Sequence, residues 1–126
     1  MRWYRIAAKQ GNVNAQSNFG LMYAEGKGVS QDVREAVRWY RMAAEQGLAA
    51  AQNNLGRMYF KGKGAEGNVY ESYIWLSIAK ASGSEEAIRS FPKVEWHLFL
   101  TASEIKNAKQ EATRRLEEID NRAVRN

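Results

Sequence analysis

A chain of 126 residues, 44% hydrophobic and 26% charged, has the make-up of a single globular domain. Without cysteine it excludes disulfides, thiolate metal sites and cysteine nucleophiles, and no stretch approaches the ~20 apolar residues of a bilayer span. Its 19 Lys and Arg against 14 Asp and Glu leave +5, which keeps acidic proteins, nucleic acid and anionic lipid in view without selecting among them.

The chain repeats itself every 36 residues. Trp3, Trp39 and Trp75 share that step, as do Gly11, Gly47 and Gly83, and Ala7, Ala43 and Ala79. Gln16/Gln52, Asn18/Asn54, Gly20/Gly56, Met22/Met58 and Tyr23/Tyr59 recur once. The period divides the chain into a half repeat (1–11), repeats 12–47 and 48–83, and a C-terminal capping region (84–126).

In chain order, Trp3, Tyr4, Ile6 and Ala7 belong to the second helix of a unit whose first helix is missing. Either the chain is a piece of a longer array, or another copy covers that end as a homo-oligomer. Met1 to Ile6 has no apolar run of the signal-peptide kind, and cytoplasmic and periplasmic locations both stay open. In the next unit Ala15, Phe19, Met22 and Tyr23 form a helical apolar stripe over Val13 to Glu25, closed at Gly26-Lys27-Gly28. Asp32 with Glu35 three residues on starts a second helix, and Asn68 with Glu71 repeats that signal. The second helix presents Ala36, Trp39, Tyr40, Ala43 and Ala44 on one face and stops at Gly47. Small Ala and Gly positions let paired helices approach closely, and stacked neighbours bury what one pair cannot.

After Ala87 the pattern changes. Residues 88–100 hold Phe91, the only proline (Pro92), Trp96, Leu98 and Phe99, with no glycine at the repeat positions. Thr101 to Glu104 is a capping box, and Ile105, Ala108, Ala112, Leu116 and Ile119 line one face of a helix to about Arg122 whose other face is charged, as suits a terminal cap.

Ala-Gln-x-Asn-Leu-Gly-x-Met-Tyr-x-x-Gly-x-Gly at Ala51 to Gly64 resembles the Sel-1-like repeat, as does Asp-x-x-x-Ala-x-x-Trp-Tyr-x-x-Ala-Ala-x-x-Gly at Asp32 to Gly47. Ser72 to Ser77, followed by a Thr-started terminal helix, looks like the end of bacterial members. The resemblance implies an all-α, right-handed α/α superhelical solenoid of about three helix pairs with a C-terminal capping helix, related to tetratricopeptide repeats. It also implies a scaffold or adaptor that binds protein or peptide partners without catalysis or cofactor. Some bacterial members neutralise a toxic effector as immunity proteins, an alternative within the same class.

The candidate chemistry is thin. Gly62 to Gly67 matches G-x-G-x-x-G, but it follows a helix and two of its glycines repeat Gly26 and Gly28, so it reads as a turn. Ser77-Ile78-Ala79-Lys80 fits S-x-x-K without the companion elements of a serine acylase. His97 has no second ligand at helical spacing, which argues against a metal site, and is expected to pack or cap in the terminal segment. Glu85/Glu86 and Glu117/Glu118 read as solvated faces.

Two surfaces are candidates for partners. The first helices are expected to line a concave groove. Its variable positions are Asn14, Ser17, Asn18 and Leu21 in one unit, with Asn53, Asn54, Arg57 and Lys61 in the next. Leu21 and Arg57 are equivalent positions of opposite character, and Arg57 is suited to a carboxylate. Asn18 and Asn54, being periodic, can equally satisfy backbone groups between helices. The second helices carry a basic stripe of Arg2, Arg5, Arg34, Arg38 and Arg41 on the outer face. It is read as solubility, with Glu45 one turn from Arg41 and Glu35 beside Arg34, or as a seat for an acidic surface or nucleic acid.

Overall fold

The computed structural model describes residues 2–62 and 68–125, without the side chains of Arg2, Tyr4, Val124 and Arg125. The G-x-G-x-x-G turn lies almost wholly outside the described residues. Among the described residues seven helices follow one another: α1 (Arg2–Lys9), α2 (Val13–Glu25), α3 (Val33–Glu45), α4 (Ala49–Lys61), α5 (Val69–Ala81), α6 (Glu85–Ser90) and α7 (Ala102–Arg125). Two 3-10 turns, Phe91–Lys93 and Trp96–Leu98, separate α6 from α7. The described residues contain no strand, and the expected all-α solenoid of helix pairs is what forms.

The repeat fixes the corners as well as the helices. Gly11, Gly47 and Gly83 have φ of +91°, +97° and +94°. This left-handed turn lets the N–H of Asn12, Leu48 and Ser84 reach back to the carbonyls of Ala7, Ala43 and Ala79 at 3.0, 3.2 and 2.9 Å. At the other corner Asp32 N–H and Asn68 N–H bind the carbonyls of Tyr23 and Tyr59. The side chains of Asp32 and Asn68 cap α3 and α5.

Between units the two glutamines act as fasteners. Gln16 Nε2 donates to Ala8 O and Gln52 Nε2 to Ala44 O, both at 3.1 Å and both buried, so each first helix holds the last turn of the helix before it. Within a unit, Gly20 lies against the ring of Tyr40, and Gly56 lies so close to Leu76 that a Cβ there would sit 2.7 Å from Leu76 Cγ. The Ser72 hydroxyl, fully buried, donates to Gly56 O at 2.8 Å across the same contact.

The third unit does not complete itself. Where Gln16 and Gln52 stand, it has Ile88, which is exposed. Pro92 has no N–H to give, so α6 ends at Ser90 after six residues and passes into 3-10 turns. Trp96 folds back, donating its indole N–H to Phe91 O at 3.2 Å and meeting Tyr73 edge-on with ring centres 5.0 Å apart. The Thr101–Glu104 capping box forms in both directions, at 2.9 and 3.1 Å, and starts α7. Ala108, Ala112 and Ile119 of α7 join the core that runs through α3, α4 and α5.

Candidate functional site

No group of His, Asp or Glu among the described residues could hold a metal ion. His97 is exposed on its 3-10 turn, a correction to its expected packing role: Trp96 beside it turns inward, so the imidazole points away. Lys80 Nζ lies over the Phe91 ring at 5.4 Å, while Ser77 borders a shallow cleft against α7.

The eight groove positions separate into three situations. Asn14, Asn18 and Leu21 are exposed on α2, Leu21 by 45%, and Ser17 is half-buried beside them. On α4, Asn54, Arg57 and Lys61 line a cleft of about 620 Å³ between α2 and α4, with Glu25, Met58 and Tyr40 among its walls. Burial, then the charge of Glu25, raises the Tyr40 hydroxyl to about 12, so it stays a neutral hydrogen-bonding group in that cleft at physiological pH. Asn53 departs from the expectation: it is only 2% exposed, with Nδ2 donating to Glu86 Oε2 at 3.0 Å. The short α6 folds down over it, which the repeat pattern of α4 does not reveal.

Glu86 is also more than a solvated charge. Its carboxylate lies 3.9 Å from Arg57, too far for a hydrogen bond, and leaves the Arg57 side chain about half exposed. A second cleft of about 430 Å³ continues between α4 and α6, lined by Asn53, Asn54, Glu85, Glu86 and Arg89. Asn54 borders both clefts, so they adjoin on the face made by α2, α4 and α6.

The basic stripe is broken up. Arg5, Arg34 and Arg38 are exposed, and the side chain of Arg2 lies outside the described residues. Arg38 pairs with Glu35 at 3.2 Å, and Arg5 lies 5.9 Å from the Phe19 ring centre. Arg41 is half-buried and does not take Glu45 as its partner: its guanidinium donates to the Tyr59 hydroxyl and sits 5.7 Å over that ring.

The strongest ionic cluster is one the sequence pattern misses, because its partners lie 44 residues apart. Arg115 of α7 binds both carboxylate oxygens of Glu71 at 2.8 Å, takes Glu111 at 2.9 Å and lies 5.6 Å over the Trp75 ring. These bonds hold the Glu71 carboxyl below its ordinary range despite burial and raise the Arg115 guanidinium. Glu111, bonded to Arg114 and then Arg115, falls to about 2. Glu71 ties α7 down onto α5 through Arg115, while Glu111, one turn before Arg115 on α7 itself, holds that guanidinium in place, a structural role for both. At the other end of the chain Trp3 and Ile6 of α1 are 67% and 50% exposed.

The Sel1 repeat matches residues 1–12, 13–48 and 49–84. A Sel1 repeat protein from Oxalobacter formigenes superposes with a TM-score of 0.66 at 42% identity over 68% of this chain. The Escherichia coli protein c5321, described as a protective antigen of uropathogenic strains with an SLR fold, superposes at 0.75 with 34% identity over 90% of this chain. This chain spans 35% and 25% of the length of those two structures. No curated protein matches the sequence.

Proposed function

The chain belongs to the Sel1 repeat family, whose members are generally non-enzymatic protein-interaction scaffolds, and from that premise we propose that it binds a protein or peptide segment along the concave face of α2, α4 and α6. The reading rests on one observation: two adjoining clefts, the larger of which gathers Asn54, Arg57 and Lys61 beside the half-buried apolar walls of Ala24 and Met58. Exposed amides bind the main chain of an extended segment, Arg57 takes a carboxylate, and Leu21 on the neighbouring helix meets an apolar side chain.

The test is affinity capture with the wild-type chain beside Arg57→Glu and Leu21→Asp, with bound proteins identified by mass spectrometry. Both positions are exposed, so the variants should fold. A partner held by wild type and lost by both variants supports the groove. A partner retained equally by all three would place binding elsewhere on the molecule.

A further inference from the structure

A different face of the molecule carries the same groove twice, one period apart. α7 sits in the groove beside α3 and α5 with Arg115 on Glu71 and Trp75, and with Ile119 Cγ2 3.3 Å from where a Cβ on Gly47 would be. What remains of that groove is a cavity of about 240 Å³ bordered by Arg41, Glu45 and Trp75. One period earlier, Glu35, Trp39, Arg5 and Lys9 take the places of Glu71, Trp75, Arg41 and Glu45. Those four residues line a single open cavity of about 590 Å³ between α1 and α3. Gly11 takes the place of Gly47, and a Cβ there would meet nothing within 4 Å.

We propose that this α1/α3 groove docks an amphipathic helix of a partner protein, which brings an arginine to Glu35 and Trp39 and an aliphatic side chain to Gly11. The occupant follows from what α7 does in the equivalent groove. Arg38 supports it: standing where α5 has Ile74, it pairs with Glu35 at 3.2 Å and lies 5.9 Å over Trp39. The groove thus already draws a guanidinium to the position that Arg115 fills next door, and the exposed Arg38 can yield it. Lys9 in place of Glu45 sets the sign of a further contact. Arg122 of α7, bonded to Glu118 on its own helix at 3.0 Å, borders the same cavity as Glu45; at the corresponding place, facing Lys9, the docked helix carries an acid.

The proposal is independent of the α2/α4/α6 face, and it can be tested with peptides of residues 102–125 labelled with fluorescein. One peptide has the native sequence and the other carries Arg122→Glu; binding to the intact chain is read by anisotropy. The Arg122→Glu peptide is expected to bind saturably and more tightly than the native one. Glu35→Gln in the protein, or Arg115→Ala in the peptide, should weaken it at least about tenfold. Arg38→Ala should tighten it, and Lys9→Glu should reverse the preference between the two peptides. Lys9 is exposed, so that reversal cannot come from unfolding. Absence of saturable binding, indifference to Glu35→Gln, or a preference unchanged by Lys9→Glu would each overturn the proposal. Dependence on Glu71 instead of Glu35 would do so too, because it would mean that the peptide merely exchanges with α7.

Discussion

Gly56 is where a single atom matters most. An added methyl would come within 2.7 Å of Leu76 Cγ, a branch point that cannot swing aside, and 3.2 Å of the Leu76 backbone nitrogen. Alanine gains about 1 kcal/mol over glycine in a helix interior, whereas overpacking costs about 1–3 kcal/mol. The clash should win: Gly56→Ala is expected to lower the urea midpoint. Gly20→Ala should do so less, because its nearest neighbour is the edge of the Tyr40 ring at 3.1 Å. The sequence already shows that both glycines recur, and the close approach of paired helices follows from that recurrence. What it does not show is which side chain each glycine receives, since Tyr40 and Leu76 differ at equivalent positions.

Among the elements, α7 depends most on contacts distant in sequence. Its capping box and apolar face are legible as a helix, and it is visibly the end of the array. Its seat on α5 is not legible, because periodicity reports contacts that repeat, and the Arg115–Glu71 pair occurs once. The same limit explains Asn53, whose burial depends on α6, and Arg41, which turns to Tyr59 on the next helix instead of to Glu45 on its own. Glu71 and Glu111 both have lowered folded-state values, so their contribution is complete above the unfolded carboxylate value and is lost as pH falls. For Glu111 that window runs from 4.5 down to about 2. Thermal stability should therefore drop between those limits, and Glu71→Gln or Arg115→Ala should already be destabilised at pH 7 with a shallower acid dependence. Differential scanning fluorimetry across pH would show it. Parallel curves for wild type and variants would mean that the pair does not anchor α7.

For the whole molecule, the reach of α7 decides how the array comes apart. Solenoid units that touch only their neighbours can unravel one at a time from an end. Here Ile119 rests on Gly47 at the end of α3, while Arg115 and Ala112 hold α5, so one terminal helix grips two successive units. Peeling α7 away removes contacts from both at once. A helix outside the repeat thus adds a coupling between units to the one their shared interfaces supply. Native-state hydrogen exchange should find α3, α5 and α7 opening with one common free energy, and Arg115→Ala should split that single event into separate steps.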